Sequence, residues 1–473
     1  MSPVKLFLYN TETRQLEELA LPPSGKIHMY TCGPTIYNYV HIGNLRTFVF
    51  EDLLRRTILY FGMPLVHVMN LTDVDDKTIK GALEKKISLK EFVEPYKIAF
   101  FEDLKALNVQ SAEVYPAATE YIPEMIHMIE VLLEKGYAYQ GKDLSIYFRI
   151  ESFPSYGRLS HLSLDSLKAG ASERVDADEY EKEHVADFVL WKAYDPARDG
   201  EIFWESPFGK GRPGWHIECS AMATKLLGHT IDIHVGGVDN IFPHHENEIA
   251  QSECCTGKRF VKHWLHSEHL LVNGKKMSKK LGNFYTLRDL LAKGYSGPEI
   301  RYLLLQAHYR TQLNFTLQGL EAAKHALRRL QDLMLRLSAI THSASSCCIE
   351  EEIKKARKAF KTALAEDLGI AQALAVIFDL VRDLNTLCDA GHLSQDDASK
   401  ALSLFREFDQ VLGCIPFGDS SQEIPFAVLE LLEQRETARK EKKWSDADKY
   451  RDLILQQGYI IEDTKAGPKL KLK

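Results

Sequence analysis

Two cysteines, a histidine and a glutamate stand where a thiophilic metal would find ligands. Cys32 lies in Tyr-Thr-Cys-Gly-Pro, Cys219 in Gly-Trp-His-Ile-Glu-Cys-Ser, and His244 and Glu248 in His-His-Glu-Asn-Glu. The last two are four residues apart, which puts them on one face if the segment is helical. A pair of soft thiolates with an imidazole and a carboxylate suits zinc. Other candidate ligands lie close by: His216, His245, Glu246 and Cys254. Closed by four protein ligands, such a zinc is structural; if it accepts an additional ligand, it takes part in binding or chemistry.

Three further stretches suit a nucleotide. His41-Ile42-Gly43-Asn44 opens a helix after a strand, and a helix N-terminus offers free N–H groups and positive dipole to phosphate. Gly43 would let an adenine ring approach the backbone, and His41 and Asn44 can donate hydrogen bonds to an α-phosphoryl group in its transition state. A helix-capping His and Asn is the competing reading. Lys275-Lys276-Met277-Ser278-Lys279-Lys280, followed by Leu281-Gly282-Asn283, puts Lys276 and Lys279 where they can clamp the β- and γ-phosphates as pyrophosphate leaves. A bare lysine run is commonly a solvated loop. In Gly236-Gly237-Val238-Asp239, Gly237 and Asp239 are candidate ATP contacts, with Asp239 accepting from the ribose hydroxyls; an ordinary glycine-rich turn is the alternative.

These residues need a frame. Lys26 to Thr31 reads as a strand, Leu45, Phe48, Val49 and Leu53 fall at helical spacing, Gly62 ends that helix, and Leu65 to Asn70 reads as the next strand. Strand, helix, strand is a βαβ unit of an α/β fold. From about 116 to 213 the chain turns rich in charge, Tyr, Ser and Pro, as an insertion would. Ile231 to Val235 then alternates as a strand, so the sheet resumes. Beyond about 300 the chain reads as helical, with 3.6-period stripes over Leu320 to Ile340 and Glu350 to Cys388. Ser343 to Ser346 reads as a linker and Pro416 to Pro425 as a boundary.

Composition narrows the class. A length of 473 residues suggests about three domains, and an apolar fraction of 45% supports a sizeable core. Eight cysteines are too sparse for a disulfide framework. No apolar run approaches a membrane span and Met1 to Lys5 has no signal-peptide pattern; a soluble, cytoplasmic protein with no membrane partner is expected. The net charge is -7, so any nucleic-acid surface must be local. Arg435 to Lys473 holds eleven Lys or Arg against seven Asp or Glu.

Together these stretches resemble a class I aminoacyl-tRNA synthetase. His41-Ile42-Gly43-Asn44 resembles the HIGH signature and Lys276-Met277-Ser278-Lys279-Lys280 the KMSKS signature. Within that class the likeness is to the bacterial cysteinyl-tRNA synthetases. It covers nearly the whole chain and is most specific at Gly211-Arg212-Pro213-Gly214-Trp215-His216-Ile217-Glu218-Cys219-Ser220 and Phe242-Pro243-His244-His245-Glu246-Asn247-Glu248. Asn44 replaces the final His of HIGH, Lys280 the final Ser of KMSKS, and Asp367-Leu368-Gly369-Ile370 departs from a more polar Asp-Phe-Asn-Thr run.

The resemblance implies a Rossmann-like catalytic domain in two halves, 1–115 and 214–300, split by a connective insertion at 116–213. A helical bundle over 301–412 and a C-terminal anticodon-binding domain over 413–473 would follow. It implies that Cys32, Cys219, His244 and Glu248 hold one zinc, which would take the substrate sulfur as an additional ligand and so separate cysteine from serine. Trp215 would line the amino-acid pocket and Thr72 contact the substrate backbone; a core tryptophan and a turn-capping threonine are the alternatives. Trp444 would stack on an anticodon base, with Arg439, Asp448 and Arg451 reading base edges or phosphates, although Ser445 and Asp448 also fit a capping box. The implied reaction joins L-cysteine to tRNA(Cys) through a cysteinyl-adenylate made from ATP with Mg2+, in a monomer. His41, Asn44, Lys276 and Lys279 would stabilise charge. Rivals are a cysteine ligase with a small-molecule amine acceptor, which would lack the Trp444 segment, and a non-catalytic RNA-binding paralogue, which would have damaged signatures.

Overall fold

Strands covered on both faces are rich in apolar residues, and two short runs fit that pattern. Ile27–Thr31 (β3) and Leu65–Met69 (β4) are largely buried and pair in parallel, Ile27 with Leu65 through Thr31 with Met69. The helix Ile42–Tyr60 (α1) joins them, and the chain leaves it through Gly62 at φ 79°, a left-handed turn that glycine adopts without strain. On the other side of β3 lies Ile231–Gly237 (β9), and outside it Val261–Ser267 (β10), giving the sheet order β10-β9-β3-β4, all parallel. The computed structural model describes residues 4–162, 187–278, 282–341, 349–417, 426–464 and 467–472.

A hairpin of Phe7–Asn10 (β1) and Gln15–Glu18 (β2) precedes β3. Between β4 and β9 come three helices, Asp76–Lys85 (α2), Leu89–Ala106 (α3) and Ile122–Glu134 (α4). An antiparallel sheet follows, of Ala138–Gln140 (β5), Ile146–Phe148 (β6), Phe188–Ala193 (β7) and Gly211–Pro213 (β8), with the short helix Pro196–Asp199 (α5) between its last two strands. β8 runs through Gly214 into Trp215–Leu227 (α6), and Glu246–Thr256 (α7) joins β9 to β10. One core spans both sheets, with Phe148, Trp191, Phe260 and Trp264 fully enclosed. A small sheet of Leu270–Val272 (β11), Lys275–Lys276 (β12) and Leu313–Phe315 (β13) follows, with Leu287–Ala292 (α8) and Gly297–Leu305 (α9) between its second and third strands.

Four helices come next: Leu317–Ser338 (α10), Glu350–Ala365 (α11), Ile370–Asp389 (α12) and Gln395–Leu412 (α13). The expected stripe from Glu350 to Cys388 is broken at residues 366–369, where Asp367 and Leu368 take φ of 55° and 57°. Tertiary hydrogen bonds cause the break. The Asp367 N–H donates to the Phe7 carbonyl at 2.9 Å, while its carboxylate accepts from the Tyr9 N–H at 2.9 Å, the Tyr309 hydroxyl at 2.6 Å and Arg310 Nε at 2.7 Å. The departure at Asp367 to Ile370 thus sits at a junction between the N-terminal hairpin and the helices. Ser343 to Ser346 and most of Pro416 to Pro425 lie outside the described residues.

The chain divides into two compact units, Met1–Pro416 and Phe417–Lys473. The second has its own small core of Val428, Ile454 and Ile461. It is built from the helices Phe426–Lys440 (α14) and Trp444–Gln456 (α15) and an antiparallel hairpin, Tyr459–Thr464 (β14) with Gly467–Leu472 (β15). Among the described residues no helix is long and apolar enough to cross a membrane.

Candidate active site and metal centre

Parallel α/β sheets place their ligands beyond the carboxyl ends of the strands, and here β3 ends directly before Cys32. The Cys32 N–H still bonds the Val235 carbonyl of β9 at 3.2 Å, which fixes the thiol over the sheet's end. The turn Ile241–His245 and the first turn of α7 bring His244, His245 and Glu248 to it: one ligand-type atom from each of these and from Cys32 all lie within 4.8 Å of one another. Cys219, buried on α6, hydrogen-bonds Cys32 and His244. Of the four expected ligands, Cys32, His244 and Glu248 fall in this group together with His245, whose Nε2 is 3.3 Å from Cys32 Sγ, and Cys219 stands beside it.

The remaining candidate ligands have other employment. The Glu246 carboxylate accepts backbone N–H bonds from Gly157, Leu159 and Ser160 at 2.9, 3.1 and 2.8 Å. Cys254, two turns along α7, does not belong to the cluster. His216 Nδ1 sits 2.9 Å from His244 Nδ1 and acts on that ligand from outside. On the far side, His234 Nε2 is 2.9 Å from Glu248 Oε2, and His245 Nδ1 is 2.8 Å from His266 Nε2. Such outer partners fix the orientation of metal ligands.

The electrostatics favour a cation. Burial and the neighbouring Cys219 push the Cys32 thiol well up, while the hydrogen bond from Cys32 pulls Cys219 down to about 6. Burial alone would raise Glu248, but His234 and His244 outweigh it and hold the carboxyl at about 2. Burial lowers His244, yet Glu248 and Cys219 outweigh it and lift the imidazole to about 10. Glu248 Oε1 is fully buried and makes no hydrogen bond of good geometry, although His244 Nε2 stands 3.0 Å away. A buried carboxylate oxygen among thiol and imidazole groups fits zinc in donor type.

Beside the cluster, Trp215 stacks on the His244 ring, with centroids 4.1 Å apart and planes at 27°, and keeps 42% of its surface exposed. That exposure argues against a core role. Thr72 is buried at the end of β4; its hydroxyl donates to Glu218 Oε2 at 3.1 Å and accepts from Asn70 Nδ2 at 3.2 Å. Glu218 was not among the residues expected from sequence. Burial, reinforced by Cys219, pushes its carboxyl well above the ordinary range. Its spacing of three from Trp215 on one helix face was the available signal. His234 was also missed; a histidine inside the apolar strand Ile231–Gly237 was the clue.

At the start of α1, His41 is the N-cap. Its Nδ1 accepts the Asn44 N–H at 3.2 Å, and the Asn44 side chain takes the His41 N–H at 3.4 Å. The capping reading therefore holds in this state, and it leaves Asn44 exposed at the helix mouth. A Cβ at Gly43 would stand 3.0 Å from the His41 ring and 3.3 Å from Met277 Cε, so the lysine loop lies against this turn. Lys276, on β12, is exposed, and its carbonyl accepts from Asn283 Nδ2 at 3.2 Å. Lys279 and Lys280 lie outside the described residues. At the end of β9, any side chain at Gly237 would strike the Asp239 carboxylate and approach Thr47 of α1. The ends of β9 and β10 and the first turns of α1 thus converge, Thr47 Oγ1 lying 2.9 Å from Ser267 Oγ.

In the C-terminal unit, Trp444, Asp448 and Arg451 follow one another at spacings of four and three on α15, and so share a face. All three are exposed, Trp444 at 61%. The capping box drawn from Ser445 and Asp448 is not formed: α15 begins at Trp444, with Lys443 as N-cap and no side-chain cap bond, so both residues fall inside the helix. Arg439, half-buried near the end of α14, is 3.7 Å from Glu436.

Known proteins resemble this chain over nearly its whole length. The family described as "tRNA synthetases class I (C) catalytic domain" matches residues 20–325, and the "DALR domain" matches 359–415. A cysteine--tRNA ligase of Protochlamydia amoebophila is 60% identical over 99% of this chain and 98% of its own length. That of Chlamydia felis is 56% identical over 98% of each. Among solved structures, a Mycobacterium tuberculosis methionyl-tRNA synthetase with methionyl-adenylate superposes with a TM-score of 0.60 at 14% identity, over 88% of this chain and 95% of that one; it shares the fold. Fold and signatures make the protein a class I aminoacyl-tRNA synthetase. Within that class, the chain belongs to the cysteine--tRNA ligase family.

Proposed function

We propose that the protein joins L-cysteine to tRNA(Cys) in two steps, drawing on ATP with Mg2+. The carrying observation is the largely buried group of Cys32, His244, His245 and Glu248, with Cys219 beside it and the exposed ring of Trp215 stacked on His244, in a chain matched over 99% of its length by a curated ligase of that name. A zinc held by Cys32, Cys219, His244 and Glu248 would supply a Lewis acid that prefers a thiolate to a hydroxyl. Trp215 walls the amino-acid pocket, and the Thr72–Glu218 pair closes its floor. The cysteine carboxylate attacks the α-phosphorus of ATP, forming the mixed anhydride and releasing pyrophosphate. His41 and Asn44 turn their polar groups to the α-phosphoryl oxygens, while Lys276 and Lys279 hold the leaving pyrophosphate. Gly43, Gly237 and Asp239 form the cradle for adenosine. The 2′-hydroxyl of the terminal tRNA ribose then attacks the activated carbonyl, and AMP leaves.

The C-terminal unit is assigned to the anticodon through Trp444, Asp448, Arg451 and Arg439. Trp444→Ala is expected to weaken tRNA charging by about 5- to 150-fold, the worth of one base stacked on an aromatic ring at ~1–3 kcal/mol. Cysteine-dependent ATP–pyrophosphate exchange should stay at its wild-type rate; equal loss of both activities would count against the assignment. The small-acceptor alternative is disfavoured because the relatives align over this unit as well. Both signatures and all four candidate zinc ligands come from one chain, so a cytoplasmic monomer has all that this scheme needs.

The reading is tested by charging bulk tRNA with labelled cysteine, beside labelled serine and a control without ATP. ATP-dependent charging by cysteine alone is expected. Exchange without charging would move the acceptor to a small amine, and neither activity in zinc-loaded protein would leave an RNA-binding protein.

A further inference from the structure

Two walls of the amino-acid pocket come from distant parts of the chain: Thr72 from the end of β4, and Trp215, Glu218 and Cys219 from α6. Besides the Thr72–Glu218 hydrogen bond, a group of charged side chains ties them together. Asp76 is the first residue of α2, four beyond Thr72. Its carboxylate receives Lys192 Nζ of β7 at 2.8 Å on one oxygen and the Arg212 guanidinium of β8 on the other. Arg212 is only 3% exposed, and its Nε also reaches Asp199 at 3.2 Å. Asp199, wholly buried, is held in turn by Arg198 Nε at 2.7 Å and by the Asp195 N–H at 3.0 Å.

Arg212 stands three residues before Trp215, and the intervening chain has no slack. Lys192 and Arg212 are partners across the β7–β8 ladder, and Trp191 faces Pro213. The Gly214 N–H then donates to the Leu190 carbonyl at 2.9 Å, and a side chain at Gly214 would collide with the Val189 carbonyl. Trp215 follows as the first residue of α6. A shift of Arg212 relative to Asp76 therefore passes along a rigid run to the start of the helix that carries Trp215 and Cys219.

Burying ions is costly, and such groups are best justified where they fix a register. We propose that Arg212 is a positioning residue whose ion pair with Asp76 locks the inserted antiparallel sheet to the catalytic sheet and so sets where Trp215 and Cys219 stand against the substrate thiol. This rests on the cysteine-activating function proposed above, and acts through that site without touching substrate.

The test uses the full-length zinc-loaded protein and cysteine-dependent ATP–pyrophosphate exchange, with R212Q, R212K, D76N and the R212Q/D76N double variant. Each of R212Q and D76N is expected to raise the cysteine KM about tenfold, the scale of a pair coupled by ~1.4 kcal/mol. The ATP KM should stay within about twofold of wild type. The double variant should be no worse than the poorer single, since removing a lost partner costs nothing further. R212K should recover part of the loss. Lower melting temperatures with an unchanged cysteine KM would overturn the proposal, as would penalties that add in the double variant. If R212Q does not fold, D76N and R212K decide, because Asp76 is half exposed at a helix start. Absence of exchange in the wild type would instead overturn the functional reading, and the positioning role with it.

Discussion

Cys219→Ser should abolish stoichiometric zinc and raise the cysteine KM by about 100-fold or more, given that even outer partners of a metal ligand are worth ~10–100-fold. The substitution is nearly isosteric, so packing around α6 survives and the change is chemical. Cys219 is buried, and the hydrogen bond from Cys32 draws its thiol down to about 6, so it yields its proton to a metal more readily than an ordinary thiol. A serine hydroxyl stays protonated there and is a poor zinc ligand. The ATP KM should hardly move, since the nucleotide motifs lie on other elements. Discrimination against serine should collapse in parallel, because an apolar pocket separates small side chains by only ~1–3 kcal/mol. Metal analysis, steady-state exchange and a serine challenge on one preparation suffice. An unchanged cysteine KM with full loss of metal would sink the idea that the metal selects the substrate.

His41→Ala should lower the rate of adenylate formation by about 10²–10³-fold, the usual loss when one donor to a developing oxyanion is removed. The cysteine KM and zinc content should stay near wild type. His41 also caps α1 through its Nδ1, so the same change costs about 1 kcal/mol of stability. The two roles separate with His41→Asn, which retains a good N-cap side chain: the melting temperature should return while the rate stays depressed by at least about tenfold. Capping alone would be indicated if His41→Ala lowered the melting temperature but kept the exchange rate within about threefold of wild type.

How far the chain could be read without coordinates depended on the range of the forces involved. The β3–α1–β4 unit was legible because Ile27–Thr31 and Leu65–Met69 are short runs rich in apolar residues with a left-handed Gly62 between them. The break at Asp367 was not: the residues around it keep the helical period, and the partners that turn the backbone out, Phe7, Tyr9 and Tyr309, are remote in sequence. Ser445 and Asp448 show the reverse error, a correct capping spacing displaced by a helix that starts two residues earlier. At the site, residue type singled out Cys32, Cys219, His244 and Glu248. Glu218 and His234 carry no such label, and acquire their surroundings only when α6 and β9 pack beside β3.

The parallel sheet also constrains how the molecule is born. β3 ends at Thr31 and its neighbour β9 begins at Ile231, so 199 residues intervene. At ribosomal rates of ~5–20 residues per second, β3 waits on the order of 10–40 s with one edge unpaired. During that interval the apolar βαβ half exposes an edge competent to pair with another nascent chain. Cys32 also stays a lone thiol until α6 and α7 emerge. Newly made copies should therefore be most vulnerable to aggregation and to thiol oxidation midway through translation, and the inserted segment between the two halves sets the length of that exposure.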